Sequence, residues 1–209
     1  MLVGNIIIIG LVTIHQSRLD TLLGNSSVMH MGYIFLGIAA GSELALKGAV
    51  LLMFAHGISI ALAFALCGRM RNQLGTLEFS KLGGLAANAP FLTLIFGFAT
   101  FASIGLPGLA NFAVEFTIFV GSFDFDIQHG LKPVHWAVIL GLWGVVMSAV
   151  YMLRAYRNLF FGKAAAGHFV SDPLFEQRLP LLLLTAVLLI AGCCPSLLTD
   201  LIQLTLPAK

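Results

Sequence analysis

The sequence predicts an all-α integral membrane protein of about six transmembrane helices, the fourth, Pro90 to Ser122, broken near Pro107. Composition is the first reason: hydrophobic residues make up 59% of the 209 and charged residues 10%, where soluble domains carry roughly 25% charged residues. Mean hydropathy is +0.99. The second reason is that apolar stretches recur along the chain at membrane-spanning length. The third is that one stretch, too long for a straight helix, carries Gly105-Leu106-Pro107-Gly108 at its middle. Net charge is only +2 and the basic residues are scattered, which excludes the basic stripe of a nucleic-acid binder. The lipid bilayer is the partner this composition demands.

The first apolar stretch, Leu2 to His15, falls short of the roughly 20 residues that cross a bilayer. The chain enters it through Met1-Leu2-Val3-Gly4-Asn5, without a positive leader or a small-residue cleavage site, so no cleaved signal peptide is expected. Gly24 to Ala40 and Gly48 to Gly68 are long enough to span. Pro90 to Ser122 would run about 50 Å as one helix. Pro107 lacks a backbone donor and clashes with the preceding turn, and two flanking glycines remove side-chain support, so a break follows. The fifth span is Val134 to Tyr156, with Trp136 near its start and Tyr151 and Tyr156 near its end as expected interfacial anchors. Lys163 to Arg178, with Ala164-Ala165-Ala166-Gly167 and Asp172-Pro173, reads as a loop. Leu181 to Leu204 is the sixth span. No stretch reads as a soluble domain, and residues 1–209 are expected to form a single membrane domain.

The loops after the first, third and fifth spans hold Arg18; Arg69, Arg71 and Lys81; and Arg154, Arg157, Lys163 and Arg178, whereas the other side holds only Lys47, Lys132 and Lys209. By the positive-inside rule the first group faces the cytoplasm, or the matrix in an organelle, and both termini face away from it. Cys67, Cys193 and Cys194 have no metal-ligand spacing and are expected as packing residues. There is no G-x-G-x-x-G, Walker loop, H-E-x-x-H or iron–sulfur cysteine pattern, so no cofactor and no metal is expected in this chain. Asn25-Ser26-Ser27 matches a glycosylation pattern but sits at the edge of a span.

The chemistry rests on ionisable residues inside the spans. Glu115 lies eight residues after Pro107, in a stretch, Phe91 to Phe123, that otherwise carries no charge. A charge at membrane depth costs roughly 2.5–3.5 kcal/mol on insertion scales, and such residues mark ion or proton pathways. Asn111 is four residues before Glu115 and Pro107 four before that, giving a polar stripe beside a break, and broken helices are where transporters place ion sites. His56 lies near the middle of the third span. His30 lies a little over a third of the way into the second, with Ser26 one turn before it. A single membrane histidine serves as readily as a strut between helices. Three titratable groups in successive spans, one beside a break, point instead to a proton relay: imidazole changes charge near neutral pH, and a buried carboxyl shifts toward its neutral form. His15, His129, His135 and His168 sit at span ends or in loops, where solvation explains them. Lys47 is placed to snorkel, and Asp20, Glu43, Asp124 and Asp126 are expected at the interface.

Taken in order, Ser26-Ser27-Val28-Met29-His30-Met31-Gly32, Gly48-Ala49-Val50, Ala55-His56-Gly57, Gly105-Leu106-Pro107-Gly108, Asn111-Phe112, Glu115-Phe116, Gly121-Ser122-Phe123 and Tyr156-Arg157-Asn158-Leu159-Phe160-Phe161-Gly162 closely resemble the M-subunit family of bacterial NADH:quinone oxidoreductase, the equivalent of chain 4 of mitochondrial complex I. The match is clear from Gly4 to Lys163 and rests mainly on apolarity beyond. The resemblance implies an antiporter-like second half-repeat plus a C-terminal helix, which translocates protons within the membrane arm and holds no redox centre. It places His30 and His56 on a central hydrophilic axis that ends at Glu115 on the discontinuous helix, where the sister L and N subunits usually have lysine.

The resemblance also implies partners, L- and N-like membrane-arm subunits, and a bacterial inner-membrane location. This chain matches only the last six spans of the family, so either a companion polypeptide is expected to supply the first half-channel or the chain is a truncated or incomplete copy. Arg18-Leu19-Asp20-Thr21 stands where the family usually has Asp-Leu-Lys-Arg, Asn25 replaces a tyrosine, and Val114 replaces the glycine before the glutamate. Three readings follow: a proton-translocating part of a respiratory NADH dehydrogenase, a subunit of a multi-chain cation/proton antiporter, or a non-conducting structural remnant.

Overall fold

Helix boundaries follow the punctuation of the chain. The computed structural model describes residues 2–123, 131–162 and 170–194. Its helices are α1 (Leu2–Ile14), α2 (Leu19–Ala40), α3 (Glu43–Leu74), α4 (Pro90–Ile104), α5 (Ala110–Ser122), α6 (Pro133–Phe160) and α7 (Phe175–Cys193), with short 3-10 turns at Phe79–Lys81 and Leu85–Ala87. Among the described residues there is no strand beyond an isolated bridge between Arg18 and Glu78. Gly41 ends α2 in the left-handed region, φ 71°, and returns its N–H to the Ile38 carbonyl. Ser42 then caps α3, its Oγ accepting from the Ala45 N–H at 3.1 Å. Such a cap satisfies one of the donors that every helix start leaves free.

α2, α3, α6 and α7 are each long and apolar enough to cross a membrane by length and composition; α1, α4 and α5 are shorter. The expected fourth span is the α4–α5 pair, interrupted at 105–109. The protein is therefore an all-α integral membrane protein with a broken fourth span, as the sequence predicts. Several helices overrun their apolar windows. α2 starts at Leu19 instead of Gly24, and α3 runs from Glu43 to Leu74 instead of Gly48 to Gly68. Hydropathy marks only the part in hydrocarbon, whereas a helix continues into the interface, where charges are solvated. There Glu43 pairs with Lys47 at 2.5 Å, one turn apart.

The polar connection before α7 also differs from its expected loop. Phe175 to Arg178 are already helical, and Pro180 sits inside α7. Upstream, the Asp172 carboxylate accepts from the Phe91 and Leu92 N–H groups at 3.1 and 3.0 Å. It caps α4 from 80 residues away in sequence, which local pattern cannot reveal. Asp124, Asp126, His129, Lys163, His168, Lys209 and the end of the sixth expected span lie outside the described residues.

Three expectations about individual side chains are corrected. Tyr151 is fully buried, its hydroxyl 2.8 Å from that of Ser26, because α6 continues nine residues beyond it to Phe160. His135 is buried as well: its Nδ1 accepts the Lys132 N–H at 3.1 Å and its ring packs on Phe123, so it is a helix-start fastener and not a solvated terminus. Cys193 and Cys194 are exposed at the end of α7, unlike buried Cys67. Trp136 is exposed and Tyr156 half-buried, as anchors would be.

Small residues set the helix spacing. A Cβ at Gly48 would lie 2.9 Å from the Ile118 backbone nitrogen, and one at Gly121 would meet the Ala45 backbone nitrogen, with Ala45 Cα at 2.9 Å. α3 and α5 thus run in backbone contact, fastened by the Ser42 hydroxyl donating to the Gly121 carbonyl. Close approach through small residues is the principal source of helix association in lipid. Gly121→Val is expected to destabilise the protein by about 1–3 kcal/mol, the cost of overpacking a tight contact. Thermal unfolding in detergent checks it: the midpoint should fall by several degrees, and an unchanged midpoint would contradict the backbone contact.

Candidate functional site: a carboxylate and two imidazoles at the broken helix

α4 ends at Gly105, whose φ of 77° no other residue type adopts without strain. The Gly105 and Leu106 N–H groups close back on the Ala102 and Phe101 carbonyls at 3.1 and 3.0 Å, satisfying two acceptors that a helix end leaves over. Pro107 and Gly108 form the outer, exposed part of the bend. They shape the break and do not reach the buried polar groups. α5 restarts at Ala110, and α7 braces the bend: a Cβ at Gly192 would run into the Leu109 backbone, and the Cys193 thiol lies 3.6 Å from the Gly108 carbonyl oxygen.

Pro107 has no N–H to return to the carbonyl four residues back, which leaves the Ser103 carbonyl free to accept, and His30 Nε2 contacts it at 3.2 Å. His30 Nδ1 lies 2.7 Å from the Ser26 carbonyl oxygen. Carbonyl oxygens only accept, so a neutral imidazole, with one N–H, satisfies one of these contacts, and the imidazolium satisfies both. Its counter-charge is at hand: Glu115 Oε1 lies 3.6 Å from His30 Nε2, both side chains almost fully buried. Stacked on His30 at 4.7 Å between ring centroids, 15° from parallel, is His56. His56 Nε2 lies 3.0 Å from the Ser27 hydroxyl.

Asn111 shares the inward face of α5 with Glu115 and is fully buried. Its amide donates to the Ser59 hydroxyl at 3.2 Å, which donates to the His56 carbonyl at 3.0 Å. Glu115 Oε1, His56 Nδ1 and Asn111 Oδ1 are buried and make no hydrogen bond to protein. Buried polar atoms are ordinarily paired, and three unpaired ones on neighbouring helices single this cluster out. The structure therefore brings Glu115, His30, His56 and Asn111 together, while the Ser26 side chain turns away to Tyr151.

The sequence reading did not pick out Ser27, Ser59, Tyr151 or Tyr33. Ser59 is one turn after His56 on the same face, a spacing that could have found it. Tyr33, edge-on to His30 at 5.5 Å, is likewise nearly one turn along. Tyr151 comes from a span 125 residues from Ser26, and no local pattern links them. Gly105 has a second function that residue patterns do not display: a Cβ there would sit 2.7 Å from Glu115 Oε2. On its outer side Glu115 walls a cavity of about 160 Å³ with Gly105, Phe112, Phe116, Phe119, Leu142 and Val145.

A buried carboxyl at a helix break, faced by one of two stacked imidazoles on adjoining helices, is equipped to hold and exchange protons. Residues 2–154 match the family model described as the membrane region of NADH:quinone oxidoreductase and Mrp antiporter proteins. The chain belongs to this family. Among curated members of the NADH:quinone oxidoreductase/Mrp family, it is 37% identical over 180 residues to NADH-quinone oxidoreductase subunit M of Pseudomonas aeruginosa, covering 86% of this chain and 34% of that protein. It is 34% identical over 199 residues to subunit M of Rhodobacter capsulatus, covering 94% and 37%.

Among solved structures, respiratory complex I from Thermus thermophilus with bound NADH matches with a TM-score of 0.84 and 28% identity, over 96% of this chain and 42% of that one. The Mrp complex from Dietzia shares the fold, with a TM-score of 0.83 at 17% identity over 96% of this chain and 44% of that one. The chain spans about a third of the length of the curated relatives it matches, 34% of one and 37% of another. The family that the motifs resemble is the family these matches identify.

The apolar cavity gives this family member's carboxyl a chemical signature. A lipophilic carbodiimide, which partitions into lipid and adds to a protonated carboxyl to give an acylurea, is expected to label Glu115 in membranes. Peptide mass spectrometry reads the adduct. Glu115→Gln should abolish it, and labelling elsewhere with Glu115 untouched would show that the carboxyl is not reached from this cavity.

Proposed function

We propose that the chain is part of a proton-translocating, M-type membrane-arm subunit of NADH:quinone oxidoreductase, with electron transfer carried out by other subunits. The observation that carries this reading is the buried Glu115 carboxyl 3.6 Å from His30 Nε2 at the helix break. Glu115 accepts and releases a proton, and His30 and His56 pass it between α2 and α3. Asn111 and Ser59 fasten α5 to α3 beside them, and Gly105 leaves room for the carboxylate. Its partners in this reading are L- and N-like subunits and whatever polypeptide supplies the first half-channel. Its membrane is the bacterial inner membrane, with the side bearing Arg69, Arg71 and Arg154 in the cytoplasm.

The subunit M relatives, at 37% and 34% identity, favour this reading over an independent cation/proton antiporter, whose solved Mrp counterpart shares the fold at 17% identity. Co-purification with an NADH-oxidising complex separates the two.

Glu115→Gln preserves shape but cannot exchange a proton. In the assembled complex, reconstituted in vesicles with a pH-sensitive dye, proton uptake per NADH oxidised is expected to collapse. Loss of a positioned proton-transfer group costs on the order of 10²-fold where that transfer limits the rate. His56→Ala should give a milder, few-fold loss, since water can stand in for an imidazole. Full pumping in an assembled Glu115→Gln complex would end the relay assignment, and full pumping in His56→Ala would make His56 a strut.

A further inference from the structure

On the arginine-rich side, the turn at Phe79–Lys81 and the end of α6 enclose a second cavity, of about 410 Å³. Its polar lining is Arg157, Asn158 and Ser80, and its apolar lining includes Phe79, Leu82 and Phe161. The cations around it differ in one respect. Arg154 donates to the Gln16 carbonyl and lies over the Phe79 ring, 5.7 Å from its centroid. Arg18 and Arg71 converge on Asp20, and Lys81 pairs with Glu78 at 2.8 Å. Arg157 forms no ion pair among the described residues; Asp20 and Glu78 are taken by those cations and Asp172 caps α4.

An exposed guanidinium beside a free amide and a hydroxyl offers a fork of donors suited to a phosphate group. A soluble phosphate needs only those donors. The two phenylalanine rings and Leu82 on the same walls, at the membrane end of a spanning helix, suit a phosphate that arrives with acyl chains. Basic pockets at the ends of transmembrane helices recognise anionic headgroups in this way. We propose that this basin binds the phosphate of an anionic phospholipid, with Arg157 as its principal ligand.

Native mass spectrometry of the full chain, extracted in detergent and titrated with phosphatidylglycerol, phosphatidylcholine or inorganic phosphate, tests this. The expected result is one retained phosphatidylglycerol that phosphatidylcholine does not match and millimolar inorganic phosphate does not displace. Arg157→Gln should weaken retention on the order of tenfold, as when a hydrogen bond to a charged group is lost, whereas Arg157→Lys should lose less. Arg69→Gln, on the same side but bonded to Gln177 and Ser171, should retain the lipid and control for folding. Equal retention by Arg157→Gln, equal binding of phosphatidylcholine, or displacement by inorganic phosphate would each overturn the proposal.

Discussion

The rest of the molecule is organised around the placing of one carboxyl group away from water. Glu115 is nearly fully buried, and in a low-dielectric interior its charged form is tolerable only beside a positive partner. The helix break supplies the means for an imidazole, which can take up a positive charge, to be there. α4 ends at Gly105 and Pro107 has no N–H to give, which leaves the Ser103 carbonyl free, and that carbonyl holds the His30 ring edge against the carboxyl group. Even a helix continued through 105 could not take up the same acceptor, because Pro107 stands four residues on from Ser103, and a Cβ at 105 would sit 2.7 Å from the carboxylate. The break is therefore part of the site and more than a bend beside it.

Holding α5 in register requires backbone contact with α3, and lipid provides no hydrophobic force to push the two together. Gly48 and Gly121 permit that contact, and the Asn111–Ser59 hydrogen bond and the Ser42–Gly121 fastening fix it. The same economy of space recurs where α1 meets α2 and α6: a Cβ at Gly32 would be 2.5 Å from Ile6, and one at Gly144 would run into the Tyr33 hydroxyl. Even at this packing density the polar cluster keeps three buried atoms without a protein partner, on α3 and α5. Energetically the cluster is a cost that the surrounding contacts offset, which is the usual mark of a working site.

Much of this was legible in the sequence. Pro107 between two glycines announces a break because the cause is local backbone chemistry, and Glu115, His30 and His56 stand out because charge in an apolar run is costly wherever it falls. What could not be read is what depends on elements distant in the chain. Tyr151 has the composition of an interfacial anchor, and only the onward run of α6 puts it inside, on Ser26. His135 looks like a solvated terminal residue until Phe123 is packed on it. Asp172 reads as a loop residue, and its capping of α4 depends on how α7 returns. Helix lengths were underestimated for a different reason: hydropathy senses the hydrocarbon, while hydrogen bonding, which decides where a helix begins and ends, reaches back to Leu19 in α2 and on to Gly75 in α3.

The geometry also restricts how protons could move in the proposed relay. His30 and His56 meet face to face at 4.7 Å, so their ring nitrogens, which lie in the ring planes, do not point at one another. No N–H of one donates directly to the other, and transfer between them passes through a hydroxyl or water at the ring edges or through a ring rotation. The gap of 3.6 Å from His30 to Glu115 is similarly longer than a hydrogen bond. Two stacked imidazolium rings would repel at a separation where even an effective dielectric of 20 gives about 3–4 kcal/mol. In the proposed relay the pair therefore carries at most one charge at a time: a proton passed to His56 from the Ser27 side would require His30 to be neutral or to give its own up toward Glu115. Under that proposal, stacking blocks a direct wire and couples the two rings, so that a proton could advance through them only as another is given up.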